Sequence, residues 1–137
     1  MRRVGLLVLL CLLVLAPEAC GKKGPPRPPK APGLPVVKDL RAVMDNGKVR
    51  LAWTLPAGSE GVAGFIIERS RPENEVCPGC PRDFEELRRI PAARGAVSFE
   101  DTDEDLPGKG RFVYRLTPYD AEDRRGAESN EAVVTVE

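Results

Sequence analysis

Two cysteines three residues apart, in Cys77-Pro78-Gly79-Cys80-Pro81, carry the sharpest chemical signal in the chain. Pro-Gly is a turn-forming pair, so the two side chains can approach each other. Three chemistries use that spacing. The first is a structural disulfide that clips a loop in an oxidising compartment. The closed loop is four residues, for which the chain-entropy relation gives about 2 kcal/mol. The second is half of a metal site. Structural zinc takes four ligands, mostly Cys or His. The chain has no histidine, and its other two cysteines, Cys11 and Cys20, lie in an N-terminal targeting stretch. A metal would need carboxylates or a second molecule. The third is a redox-active pair, which normally sits at a helix N-terminus where the macrodipole lowers a thiol pKa. On that reading Pro81 opens a short helix over Asp83-Phe84-Glu85-Glu86-Leu87. The expectation is a Cys77–Cys80 disulfide, with thiol–disulfide exchange as the rival.

The lack of histidine also removes the commonest general base and every Ser-His or Cys-His arrangement. Glu100-Asp101-Thr102-Asp103-Glu104-Asp105 has the alternating acids of a calcium loop. Leu106 stands where such a loop needs glycine, and Phe112 where it needs glutamate. A solvated corner between strands is the expectation there, and no metal or cofactor site. Arg88, Arg89, Arg94, Arg111, Arg115, Arg124 and Arg125 are scattered among carboxylates, as on a mixed soluble surface. The ligand alternative for them is an anionic lipid or glycan. Lys+Arg and Asp+Glu are both 21, for a net charge of zero. A nucleic-acid binder usually shows a basic excess, so none is expected as partner.

The N-terminus reads as a targeting segment. Met1-Arg2-Arg3 is a short positive region, and Val4–Ala16 is thirteen residues without a charge. That is signal-peptide length, whereas a membrane-spanning helix needs about 20 apolar residues. Pro17-Glu18-Ala19-Cys20-Gly21 then resembles a bacterial lipobox, with Pro17 and Glu18 in place of its usual Leu and Ala or Ser. The resemblance implies cleavage before Cys20 and diacylation of its thiol. Cys11 fits less well, because Leu10 before it is too large. Cys20-Gly21-Lys22-Lys23-Gly24-Pro25 is similar to the C-G-x-K-G-P start of a family of very small outer-membrane lipoproteins. Some of that family assist lipopolysaccharide export, which makes an accessory subunit of an envelope machine one alternative role. Gly21 rather than Asp after the cysteine points to the outer membrane, by analogy with enteric sorting.

The organisation expected is a signal peptide over 1–19, a lipidated Cys20 and Pro-rich linker over 20–35, and one domain over 36–137. Prolines at 25, 26, 28, 29, 32 and 35 favour polyproline II. Fifteen such residues reach roughly 45 Å from the bilayer. Lys22, Lys23, Arg27 and Lys30 lie close enough to the anchor to meet anionic headgroups, at about 1 kcal/mol each.

The domain reads as strands. Val36, Leu40, Ala42 and Val43 predict a first strand ending at Asp45-Asn46-Gly47. Val49, Leu51 and Trp53 alternate with polar or small residues, a period of two with one apolar face. Phe65-Ile66-Ile67 begins another strand that runs to Ser70. Phe84–Ile90 is a strand or a turn of helix. Val97 and Phe99 mark a short strand, Phe112, Tyr114 and Leu116 alternate in the next, and Ala132–Val136 is the last. Six or seven short strands with turns between them predict an antiparallel sandwich.

These residues resemble a fibronectin type III domain. Gly47-x-Val49-x-Leu51-x-Trp53-x-x-Pro56 and Val62-x-Gly64-Phe65-x-Ile67-x-Arg69 are similar to that family's strands B and C. Asp101-Thr102, Leu106-Pro107-Gly108, Phe112-x-Tyr114-x-Leu116-x-x-Tyr119-Asp120, Gly126 and Ser129-Asn130 resemble its E–F corner, F strand and F–G turn. The order Arg69-Ser70, then Cys-Pro-x-Cys-Pro, is similar to other bacterial fibronectin-type lipoproteins. The resemblance implies a seven-stranded Greek-key sandwich with Trp53, Phe65, Ile67, Phe112, Tyr114 and Leu116 inward. Phe112 stands where the family often closes the corner with a tyrosine hydroxyl, and Tyr114, two residues on, either substitutes or only packs. The function expected is non-catalytic: a binding or scaffolding module in the cell envelope, held to the lipid bilayer through Cys20 and meeting envelope proteins.

Overall fold

A computed structural model of the chain describes residues 33–70, 82–93 and 98–137. Its seven strands are β1 (Arg41–Asp45), β2 (Lys48–Thr54), β3 (Gly64–Ser70), β4 (Phe84–Pro91), β5 (Ser98–Asp103), β6 (Gly110–Tyr119) and β7 (Ala132–Val136). No helix occurs among the described residues. One antiparallel sheet has the order β1-β2-β5 and the other β4-β3-β6-β7. The chain changes sheet between β2 and β3, β4 and β5, and β5 and β6. The result is a single antiparallel Greek-key β-sandwich, a sandwich as the strand pattern predicts and a Greek key as the resemblance implies.

Alternation builds the core. Val49, Leu51 and Trp53 of β2 face Phe65 and Ile67 of β3 and Phe112, Tyr114 and Leu116 of β6 in one buried cluster. The Trp53 ring stacks on Phe99 at 5.7 Å and meets Phe65 edge-on at 5.4 Å. Its ring neighbours are thus Phe65 and Phe99, elsewhere in the same core as Phe112 and Tyr114. The β1–β2 turn sets Asn46 at φ 51° and Gly47 at φ 80°. An Asn-Gly pair tolerates two left-handed residues, which gives the twist a tight hairpin needs.

Two expectations change and one open reading is decided. β1 begins at Arg41, not near Val36, because side chains engage the backbone before it. Asn130 Oδ1 accepts from Leu40 N–H at 2.9 Å, and Asn130 Nδ2 donates to Leu40 C=O at 2.9 Å. Val43 is 59% exposed, because its parity in β1 faces solvent and Ala42 and Met44 face the core. Of the two readings of Phe84–Ile90, the strand holds, and residues 84–87 lie in β4 rather than in a helix. They pair with β3, and the register shift between Ile67 and Glu68 leaves Leu87 as the extra residue of a bulge.

The sandwich has two distinct poles. Leu34 enters at one pole, with its side chain 3.6 Å from the place a Cβ on Gly61 would take and 3.1 Å from that on Gly126. Gly64 lies at the same pole, where a Cβ would fall 2.4 Å from the Ile90 carbonyl and from the Tyr119 hydroxyl. Only glycine fits there. The opposite pole gathers Asn46-Gly47, the ends of β3 and β5, and the start of β6.

Candidate functional site

Cys20, Cys77 and Cys80 lie outside the described residues. The connection that contains Cys77 and Cys80 leaves β3 at Ser70 and rejoins the described chain at Arg82, at the pole opposite Leu34. The strand over 84–87 removes the helix that the redox reading set after Cys80.

That pole holds a buried charged cluster. The alternation of Phe65 and Ile67 continues to Arg69, which turns its guanidinium between the sheets. Arg69 Nη1 donates to Asp103 Oδ2 at 2.7 Å and to the Asp105 carbonyl at 3.0 Å. Its Nη2 donates to Glu85 Oε1 at 2.8 Å. Tyr114 donates its hydroxyl to the same Asp103 Oδ2 at 2.8 Å. Arg69 and Asp103 side chains are 7% and 3% exposed, so each ion depends on the other for what water would have supplied. Burial alone would pull the Arg69 guanidinium down. Its bonds to Glu85 and Asp103 outweigh that and hold its pKa above the ordinary value. Burial, then the bond to Asp103, pushes the Tyr114 phenol well above its usual range. Among the described residues Arg69 Nε has no hydrogen-bond partner.

Asp103 was expected in a solvated corner. It lies in β5 instead, 2% exposed, because β5 runs on through the acidic residues to pair Asp103 with Val49. Tyr114 does close the corner, onto a carboxylate of the neighbouring sheet rather than onto backbone. The sequence signal for this cluster was an arginine at the inward parity of β3, a charge that must find a partner.

Along β5 toward the same pole runs an open cleft of about 410 Å³, lined by Arg50, Arg88, Glu100, Asp101, Thr102, Glu104 and Asp105. Arg88 reaches across from β4. Its Nη2 donates to the Thr102 carbonyl at 2.8 Å, and its Nε lies 3.2 Å from Asp101 Oδ2. That approach lacks hydrogen-bond geometry, and among the described residues Oδ2 is buried without a donor. Burial pushes the Asp101 carboxyl above its ordinary value, against the opposing pull of Arg88. Among the described residues no group of three or more His, Cys, Asp or Glu is arranged to hold a metal ion.

The outer face of the four-stranded sheet is covered by its own ion pairs. Glu68 accepts from Arg115 Nε at 2.9 Å and from the Thr117 hydroxyl at 3.2 Å. The Arg115 guanidinium lies 3.9 Å over the Phe84 ring. Arg89 bridges Glu86 at 2.8 Å and Asp123 at 2.6 Å, and Arg125 reaches Glu86 at 3.1 Å. The Arg89 hydrogen bond holds the Glu86 carboxyl below its usual range. Arg88, Arg89, Arg115, Arg124 and Arg125 are therefore matched to carboxylates, as expected of a mixed surface, and Arg94 lies outside the described residues.

No protein-family model and no curated protein matches the sequence. Solved structures do match. The third fibronectin III domain of human KIAA0343 protein aligns with a TM-score of 0.51 at 12% identity, covering 86% of this chain and 92% of that one. The twitchin kinase region from C. elegans aligns with a TM-score of 0.51 at 15% identity, covering 74% of this chain and 17% of that one. Pectate lyase Pel3 from Pectobacterium carotovorum gives 0.52 at 14%, covering 75% and 27%. This chain thus spans only a small part of the last two. At these identities the likeness shows the fold alone, and that fold is the fibronectin type III sandwich.

Proposed function

We propose that the chain is a lipid-anchored envelope protein whose sandwich is a non-catalytic binding or scaffolding module. The observation that carries this reading is the polarity of the domain. The chain enters at one pole, where Leu34 sits against Gly61 and Gly126. The charged cluster and the β5 cleft lie toward the other. A module presented from a stalk needs that arrangement. The anchor in this reading is the acylated Cys20, the membrane the outer one, and the linker over 20–35 the spacer. The fibronectin type III fold supports a module of this class, since such sandwiches serve chiefly as binding and spacing units.

Acyl labelling tests the anchor. The parent chain is expected to take up labelled fatty acid, and Cys20→Ser to lose it, leaving the protein soluble or retained as a precursor. Unchanged labelling of Cys20→Ser would move the anchor to Cys11.

A further inference from the structure

Residues 34–40 carry no strand, yet they are bonded to both sheets at once. Val37 is fully buried and Leu40 is 3% exposed, and both belong to the core cluster that joins the sheets. Toward the three-stranded sheet, Asp39 Oδ1 accepts from Thr54 N–H at 3.0 Å and Asp39 Oδ2 from the Thr54 hydroxyl at 2.5 Å. These bonds hold the Asp39 carboxyl below its usual range. Toward the four-stranded sheet, the Asn130 side chain takes both backbone groups of Leu40, and Asn130 N–H donates to the Val37 carbonyl at 3.3 Å. Asn130 is itself held in place by its neighbour. Ser129 Oγ accepts from Leu116 N–H at 2.9 Å, and Ser129 N–H donates to the Leu116 carbonyl at 2.8 Å. Leu116 is fully buried in β6.

The start of the segment is fixed as well. Leu34 packs over Gly61 and Gly126. Pro35 fixes its own φ and restricts Leu34 to an extended backbone. Gly33 is the opposite. It is exposed, its φ is 90°, and nothing would lie within 4 Å of a Cβ placed on it. That φ is open to glycine and rare for other residues. Prolines at 25, 26, 28, 29 and 32 stand before it, a composition that stiffens a spacer. Between Pro32 and Leu34-Pro35, Gly33 is therefore the residue that no proline ring restrains and no described residue crowds.

We propose that Gly33 is the swivel between the linker and the domain, and that Asn130 and Asp39 are the clasps that carry residues 34–40 with the sandwich. Hinges are commonly a few loop residues that absorb the backbone rotation. Here one glycine takes it, and the clasped segment behind it turns with both sheets as one body. The far pole then keeps a fixed distance from the swivel however the domain turns. The use of this joint in presenting that pole rests on the stalk reading, whereas the swivel itself rests on the contacts of residues 33–40.

Amide nitrogen relaxation of the full chain in detergent micelles tests this. The order parameter is expected at about 0.85 for Val36, Val37, Lys38 and Leu40, as in β2, and below about 0.6 at Gly33. Asn130→Ala removes both side-chain bonds to Leu40, and Asp39→Ala removes both bonds to Thr54. Each is expected to move the boundary of motion from Gly33 toward Arg41, while the amides of β2, β3 and β6 keep their order. Movement in either variant assigns a clasp to that side chain, and a variant that fails to fold leaves the other to decide. Cys20→Ser is expected to keep the boundary at Gly33, so loss of the anchor would not imitate loss of the swivel. A boundary at Arg41 in the parent chain, no drop in order at Gly33, or a boundary that stays at Gly33 in both variants would overturn the proposal.

Discussion

Arg69 shows how much one inward position decides. A charged pair this deep is not a source of net stability by itself, since desolvation offsets much of its attraction. Breaking it is costly, because the remaining ion is left buried. Arg69→Met is expected to cost about 3–5 kcal/mol and Tyr114→Phe about 1.5–3 kcal/mol, read from urea unfolding. Equal, small effects from both would mean that Asp103 finds water on its own. Asp101 behaves in the opposite sense. Its folded carboxyl holds a proton more tightly than the unfolded value of 3.8. A raised carboxyl costs stability once it ionises, so the cost appears as pH rises from about 3.8 through the folded pKa. Asp101→Asn is therefore expected to raise the thermal midpoint at neutral pH and to lose that advantage below about pH 3.8. A lower midpoint at neutral pH would show that the pull of Arg88 prevails over burial.

Elements with a clean period of two were legible before any coordinates. β2, β6 and β7 fall where alternation sets them, and the Asn46-Gly47 turn falls where its residue types require. Trp53 is the hub of that legible core. Trp53→Ala is expected to cost about 3–5 kcal/mol through lost burial and the cavity beside Phe65 and Phe99, measured on the same unfolding curves. A change below about 1 kcal/mol would mean that the site collapses without loss. The acidic residues 100–103 were not legible as strand, because composition alone says solvent. Their placement follows from pairing with β2, a contact between residues some fifty apart in sequence. Arg88 was read as surface for the same reason. Nothing local reveals that it crosses to the Thr102 carbonyl. The entry segment 34–40 misled in the other direction, since apolar residues looked like strand while Asn130 claimed the backbone at Leu40.

At the scale of the molecule, the described residues hold a core that spans both sheets. The buried cluster joins both sheets through β2, β3 and β6 with help from Leu40 and Val37, and the charged cluster of Arg69, Asp103 and Tyr114 ties β3, β5 and β6 at the pole where the Cys77–Cys80 connection leaves and returns. A bridge between residues three apart closes a very short loop, so it constrains few unfolded conformations. Changing Cys77 and Cys80 together to Ser is therefore expected to cost about 2 kcal/mol or less and to leave the sandwich folded. The disulfide itself is read by mass spectrometry of the native protein under non-reducing conditions, where its two missing hydrogens are expected. Two free thiols, or a bound metal ion, would defeat the structural bridge. A bridge that exchanges rapidly with a small thiol would assign the pair to redox work, since an inert structural disulfide resists the exchange that a strained or catalytic one undergoes.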